Sequence, residues 1–110
     1  MKTVFFHEIE TTNADTTSVI LPISDPAYIF GRLSCIDSAG GLIGAYVLEA
    51  VLSTPSETLT LDTSTVSAIH VLDESQSVTF TIDSNKLQVD LKGIEAVTLL
   101  WTFDLTLLHI

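Results

Sequence analysis

The sequence predicts an all-β fold, an antiparallel β-sandwich of jelly-roll-like organisation with about seven to nine strands. Apolar and polar residues alternate with a period of two along most of the chain, and helical periodicity is almost absent. Threonine, valine, isoleucine and aromatic residues dominate the alternating runs, which is the composition of β-strands. Turn residues separate the runs at intervals of about ten residues, a spacing typical of sandwiches and jelly rolls.

The 110 residues are expected to form one domain spanning 1–110. A chain of this length buries roughly two thirds of the surface that its unfolded form exposes, which is enough for one hydrophobic core. Residues 1–26 are expected to be either an N-terminal arm or edge strands of this domain.

The N-terminal part of the chain predicts two short strands. The first covers residues 3–9 and is followed by a polar loop at 11–17. The second covers residues 18–23, where Pro22 lacks the N–H needed for a ladder hydrogen bond and therefore marks an edge or an exit from the sheet.

A long β-hairpin is predicted next, with strands at residues 27–36 and 42–52. The loop between them contains Gly40 and Gly41, which can both adopt positive φ angles. A helix over 42–52 is disfavoured by the glycines at its start and by the alternating pattern.

Residues 58–72 predict two further strands, at 58–62 and 66–72. The polar run Thr63-Ser64-Thr65 between them is interpreted as a turn.

For the hairpin at residues 77–92 the sequence predicts which residues pair across the two strands. A two-residue loop at Ser84 and Asn85 pairs apolar residues on one face and places Asp83 opposite Lys86 on the other. Asn85 tolerates the left-handed conformation that such a turn requires. The predicted core residues of this hairpin are Val78, Phe80, Ile82, Leu87, Val89 and Leu91.

The longest alternation closes the sequence and contains its one tryptophan. Leu99, Trp101 and Phe103 share a face, which predicts core positions, although a tryptophan in a β-sandwich can also serve as an exposed platform for sugars. The strand is expected to be the third of a meander, entered through a turn at Gly93 with positive φ. Its other face is unusually apolar, which indicates contact with a partner. The candidate interface residues are Leu100, Leu108, Ile110, Phe5 and Tyr28.

Charge and hydropathy exclude two classes of partner. Fourteen acidic residues against four basic ones give a net charge of −10, which argues against nucleic-acid binding. The longest uncharged apolar run, at 42–48, is far shorter than the roughly 20 residues of a membrane-spanning helix. The first ten residues also lack the features of a signal peptide. We therefore expect the high apolar content of 46% to be buried against other subunits, in a homo-oligomer or a larger assembly.

The sequence predicts no catalytic residue, cofactor or metal site. The histidines are His7, His70 and His109, and they lack the spacing of metal ligands. No nucleophile motif or calcium loop is present. The close carboxylates, Glu8 with Glu10 and Asp73 with Glu74, are expected on the solvated surface rather than as glycosidase acids. Cys35 is expected to be a small apolar strand residue. The protein is therefore expected not to be an enzyme.

Several segments after residue 30 carry a family resemblance. They read GRLSCIDSAGG at 31–41, AYVLEAV at 45–51 and LQVDLKG at 87–93, followed by the strand of Trp101. This series resembles a group of small β-rich virion proteins of tailed bacteriophages. In that group a basic residue stands just before the tryptophan, where this chain has Leu100. Residues 1–26 do not contribute to the resemblance.

The resemblance implies a structural role in the virion, assembled in the host cytoplasm. It implies most directly a capsid cement or decoration protein, which binds the major capsid protein or other virion proteins and sister copies. The alternative is a receptor- or carbohydrate-binding module of a tail fibre or baseplate. In that case exposed aromatic residues, such as Tyr28, Tyr46 or Trp101, would line a groove.

Overall fold

Two antiparallel sheets pack face to face, and the hydrophobic core lies between them. The computed structural model describes residues 2–110, which form eight strands; Met1, the first residue of the predicted domain, lies outside the described residues. The strands are β1 (Lys2–Thr11), β2 (Thr16–Ile20), β3 (Ala27–Asp37), β4 (Leu42–Ser53), β5 (Thr60–Val71), β6 (Ser77–Asp83), β7 (Lys86–Lys92) and β8 (Leu99–His109), with a short 3₁₀ helix at Pro55–Glu57.

The strands divide into a large sheet of order β1-β8-β3-β4-β5 and a small sheet of order β2-β7-β6. Strand β1 pairs with β8, β2 with β7 and β4 with β5, a nested pairing like that of a jelly roll. The predicted all-β sandwich is therefore confirmed, and the strand number over residues 2–110 falls within the predicted range. Strands β1 and β2 form one edge of each sheet.

The core is built from the inward-facing residues of both sheets. Along β8, every second residue is fully buried, including Trp101 and Phe103. The buried residues of the β6–β7 hairpin meet them from the small sheet. Of the candidate core residues, Ile82 is partly buried against the core and the others are buried: Val78, Phe80, Leu87, Val89, Leu91, Leu99, Trp101 and Phe103. Burying each large side chain stabilises the fold by roughly 1.5–3 kcal/mol.

The β6–β7 hairpin has the register that the sequence predicts. Val78 faces Leu91, and Asp83 faces Lys86. Ser84 and Asn85 have φ angles of 52° and 60°, the left-handed pair that a type I′ turn requires. The predicted hairpin is confirmed, because the patterns on both of its faces demand the same pairing.

The β3–β4 hairpin also agrees with prediction. In its loop Gly40 has a φ of 81°, and the Asp37 carboxylate accepts hydrogen bonds from the backbone N–H groups of Ala39 (3.0 Å) and Gly41 (2.8 Å). An Asp that accepts backbone hydrogen bonds in this way fixes a turn locally.

The prediction of two strands separated by a turn at residues 63–65 is wrong, because β5 runs unbroken through them. Strand β5 is the edge of the large sheet, and most of its side chains are exposed on both faces. An edge strand whose two faces are both exposed to solvent does not need alternating apolar residues. A polar run can therefore continue such a strand. The second predicted strand is also displaced: β2 ends at Ile20, the Leu21 N–H still donates a hydrogen bond to the Leu87 carbonyl oxygen of β7 at 2.9 Å, and the buried Ile23 follows.

Strand β8 does not continue the β6–β7 hairpin as a meander. The chain crosses after Gly93 to the large sheet, where β8 lies between β1 and β3. An alternating pattern shows that one face of a strand is buried, but it is the same whichever of the two sheets the strand joins. The pattern of β8 therefore could not distinguish a meander from a crossover to the large sheet. The expected positive φ at Gly93 is also wrong. A Cβ atom at Gly93 would lie 2.6 Å from the carbonyl oxygen of Asn13 and 2.7 Å from Oγ1 of Thr11, so close approach requires this glycine.

Candidate functional site

The outer face of the small sheet is mostly polar, and several of its side chains form hydrogen bonds with one another. The Asp90 carboxylate accepts hydrogen bonds from Ser18 Oγ (2.6 Å), Gln88 Nε2 (2.9 Å) and Thr81 Oγ1 (2.8 Å). Such a network holds a hydrated surface in place and leaves little apolar area for a partner.

The outer face of the large sheet, called the outer face below, is different. Its register sets outward-pointing residues side by side in rows across the strands. The central row, from β1 to β5, is Phe6, Asp104, Arg32, Val47 and Ser67. The row on one side is Val4, Thr106, Phe30, Glu49 and Thr65. The row on the other side is Glu8, Thr102, Ser34, Ala45 and His70.

Large apolar side chains stand exposed across these rows. Phe6 is 64% exposed, Val47 44% and Ile69 69%, and Val4 and Leu42 are exposed as well. Contiguous exposed apolar surface on a small protein marks a site of interaction, whereas scattered apolar residues do not. The outer face is therefore the candidate functional site.

Two shallow depressions shape the outer face. The larger, of about 560 Å³, lies above Ser34, Ala45 and Thr102, and the longer side chains of Phe6 and Leu42 are part of its wall. It exists because one row of small residues runs between rows of larger ones. It is lined mainly by apolar atoms, so it fits a side chain of a partner better than a charged ligand.

The smaller depression, of about 410 Å³, combines aromatic and charged residues. The rings of Tyr28 and Phe30 lie 5.4 Å apart at its wall, beside Arg32 and Glu49. The Tyr28 hydroxyl donates a hydrogen bond to the Glu49 carboxylate, and this bond raises the pKa of Tyr28 because it favours the protonated phenol.

An ion pair occupies the middle of the outer face. Arg32 Nη2 lies 3.3 Å from Asp104 Oδ2, and the two side chains are 78% and 51% exposed. Exposed pairs of this kind contribute little to stability, about 0–1 kcal/mol. The position of the pair matters more than its strength, since it joins the central strand β3 to its neighbour β8.

The structure places three of the candidate interface residues, Leu100, Leu108 and Tyr28, on the outer face, and Ile110, 81% exposed, follows β8. Tyr28 and Leu108 are paired neighbours at one end of this face, whereas Leu100 pairs with Ile36 at the opposite end. Phe5 does not belong with them. It points inward from β1 and packs edge-on against Phe103, with ring centroids 6.0 Å apart.

The sequence reasoning missed Phe6, Val47 and Ile69. Adjacent residues of a strand point to opposite faces, so choosing Phe5 as outward assigned Phe6 to the wrong side. The signal that identifies Phe6 as outward is the pairing of its neighbours with β8, where Phe5 faces the buried Leu105. For Val47 the signal is Glu49, a charged residue two positions away on the same face of the strand. Ile69 carries no such signal.

The aromatic residues considered as sugar platforms are distributed differently. Trp101 is fully buried and Tyr46 is 5% exposed, so neither presents an open ring face to a sugar. Their rings stack in the core with centroids 6.4 Å apart. Tyr28 is the member of that set that reaches the outer face.

The groups able to do chemistry are dispersed. His7 stacks on Phe5, His109 lies 3.1 Å from Thr3 Oγ1, and His70 borders β4. Within residues 2–110, no group of three or more His, Cys, Asp or Glu side chains is placed to hold a metal ion. Nor does that span contain a helix long and apolar enough to cross a membrane. Cys35 is buried, and burial raises the pKa of its thiol to about 12.

Comparison with known proteins identifies the fold. No protein-family model matches the chain, and no curated protein matches it. Among solved structures, the chain is similar to the tailspike protein of Acinetobacter baumannii phage AM24, with a TM-score of 0.51 and 12% sequence identity. The similarity covers 99% of this chain and 26% of the tailspike chain. At this identity the likeness concerns the fold: this chain folds like about a quarter of that tailspike.

Proposed function

We propose that the protein is a non-enzymatic structural protein of a bacteriophage particle, which acts by burying its outer face against protein. The observation that carries the proposal is the exposed apolar surface around Phe6, Val47 and Ile69; on the polar small sheet Ile20 stands exposed without such neighbours. Support for the virion comes from the fold of the phage tailspike and from the resemblance of residues 31–110 to virion proteins.

Interface energetics suffice for this function. Burying about 400 Å² of apolar surface supplies roughly 10 kcal/mol before the cost of association is subtracted. A protein present in many copies multiplies such contacts, and the particle gains stability without any chemical step.

The likeness to a tailspike supports a place in the tail. A capsid cement or decoration protein that binds the major capsid protein is the second candidate, because the sequence resemblance implies it. Both candidates use the same type of contact.

A reconstitution experiment tests the proposal. Phage particles assembled without the protein are mixed with purified chain, and co-sedimentation measures binding. Phe6→Ser and Ile69→Ser on the outer face are expected to weaken binding at least about tenfold, since each removes a large exposed apolar side chain. Ile20→Ser is the matched control, because Ile20 is 56% exposed but belongs to β2 in the small sheet. The proposal would be refuted if Phe6→Ser and Ile69→Ser left particle binding unchanged while Ile20→Ser weakened it.

A carbohydrate-binding function is the alternative that one further observation favours. The smaller depression places the Tyr28 and Phe30 rings beside Glu49 and Arg32, and aromatic faces with charged hydrogen-bonding groups suit a sugar. Titration of isotope-labelled protein with bacterial surface polysaccharide tests it. Shifts confined to this depression and lost in Phe30→Ala, but kept in Ile36→Ala, would favour the alternative over the protein-binding function.

A further inference from the structure

We infer that the outer face binds a second copy of this chain, so that two large sheets pack face to face around a two-fold axis. The inference rests on the proposed structural function and names the partner of the same face. It follows from three features of the face: the register of its rows, the placement of charge, and its area.

The register makes the face self-complementary. A two-fold axis in the plane of the interface, parallel to the strands and between β8 and β3, lays β3 of one copy over β8 of the other. Arg32 and Asp104 are direct neighbours across those two strands. Each Arg32 therefore lies over Asp104 of the second copy, and the exposed pair in the monomer becomes a cluster of four alternating charges.

The same axis sets apolar residues on apolar residues. Strand β4 lies over β1 of the second copy, so Val47 meets Phe6 in the central row. Along the centre, Tyr28 meets Leu108, because these residues also share a row across β3 and β8. Since the axis is two-fold, each of these contacts occurs twice in the dimer.

Charge is largely kept off this face. On the four strands that overlap, β1, β8, β3 and β4, the outward positions carry four carboxylates, those of Glu8, Glu10, Glu49 and Asp104, against the basic Lys2 and Arg32. The overlapping part of the face thus holds a formal charge of −2, while the whole chain holds −10. Glu8 and Glu10 stand on the edge strand β1, at the rim of the interface, where water screens them. The acidity of the chain therefore does not prevent two outer faces from meeting.

The available area matches that of a stable dimer. Four overlapping strands of ten to twelve residues each cover roughly 20 Å by 35 Å. This gives roughly 700 Å² per copy, close to the ~800 Å² per partner of standard interfaces. Strand β5, with Ile69, lies outside the overlap and stays available to the rest of the particle, so Ile69→Ser acts on particle binding directly and Phe6→Ser acts on it through the dimer.

Charge reversal tests the inference. Sedimentation velocity of the purified full chain is expected to give twice the monomer mass of 11.9 kDa. Arg32→Asp and Asp104→Arg are each expected to weaken dimerisation at least about tenfold, since they place like charges opposite each other. The double variant Arg32→Asp/Asp104→Arg is expected to dimerise again. Lys86→Asp, in the exposed Asp83–Lys86 pair of the small sheet, is the matched control and should leave the dimer intact.

Circular dichroism checks that each variant is folded, and Val47→Asp provides a further outer-face variant should a reversal impair folding. A monomeric wild-type chain would overturn the inference, and so would a dimer that survives Arg32→Asp and Val47→Asp. Failure of the dimer inference can be distinguished from failure of the proposed function. A monomer that binds particles refutes the dimer alone, whereas a dimer that binds no particle refutes the proposed function alone.

Discussion

Trp101 Nε1 donates a hydrogen bond to Thr11 Oγ1 at 2.9 Å, and both side chains are buried. Thr11 ends β1, and Trp101 lies in the neighbouring β8. The bond therefore ties the end of the first strand to the last strand and satisfies an indole N–H that has left water. Gly93 completes the arrangement, since the space beside Thr11 admits no side chain there.

Loss of this bond should be measurable without loss of the fold. Thr11→Val keeps the shape of the side chain but leaves the indole N–H buried and unpaired, at a cost of about 1–3 kcal/mol. Trp101→Ala creates a cavity and should cost about 3–5 kcal/mol. Urea unfolding followed by circular dichroism compares the two. Equal and negligible losses would contradict the burial of this pair.

Gly93→Ala should destabilise the protein more than Gly40→Ala. At Gly93 a Cβ atom meets the Asn13 carbonyl oxygen at 2.6 Å, and the two segments must separate. At Gly40 a Cβ atom meets nothing within 4 Å, and the cost is the left-handed conformation alone, about 1–2 kcal/mol. Thermal unfolding measures both variants. A larger loss for Gly40→Ala would show that the contact between residues 13 and 93 is wrong.

Replacement of Asn85 in the β6–β7 turn by glycine has two opposing effects: it improves the turn and removes a tertiary hydrogen bond. Glycine suits the left-handed position of Asn85, yet Asn85 Oδ1 accepts a hydrogen bond from the buried Leu59 backbone N–H at 2.7 Å. Asn85→Gly is therefore expected to lower the free energy of unfolding by about 1 kcal/mol. Ser84→Gly, at the other left-handed position, is expected to be neutral or stabilising by up to about 1 kcal/mol. If Asn85→Gly proved the more stable variant, the bond to Leu59 would not exist in solution.

Cys35 should be inert in the folded protein. Its pKa is raised from 9.0 to about 12 by burial, so the folded state favours the protonated thiol. The resulting contribution to stability is fully present below about pH 9 and is lost as the pH rises toward 12. A disulfide reagent at pH 9 should react slowly with the native chain and quickly in denaturant, since the thiol must first become accessible.

Cys35→Ala supplies the control for this pH dependence. It keeps the contribution of Tyr28, whose pKa is also raised, and removes that of the thiol. The variant should therefore lose less stability than the wild type above pH 9. Rapid labelling of the native protein would contradict the burial of Cys35.

The fold class can be predicted from the sequence because it depends on local patterns, namely apolar alternation and turn residues. The register of β6 and β7 follows from two faces that agree, and the burial of Trp101 follows from its neighbours at alternate positions. The sheet that β8 joins is set by packing between distant segments, and alternation does not encode it. The sequence predicts two strands in place of β5 because a polar run in an edge strand resembles a turn.

The candidate site was predictable only in part, for a similar reason. Leu100 and Leu108 stand out because they are apolar on the face opposite to the core. Phe5 and Phe6 are adjacent and chemically alike, so their assignment depends on the pairing of β1 with β8, a contact across almost the whole chain. The rows that align Arg32 with Asp104 likewise appear only once β3 and β8 are neighbours.

Electron cryomicroscopy of the phage particle tests the central proposal most directly. We expect density for this β-sandwich in the assembled particle, with Phe6 and Val47 on the outer face buried against protein and the polar small sheet around Asp90 facing solvent. The account would be contradicted by a particle that lacks the protein, or by one in which the outer face is exposed and the small sheet forms the contact.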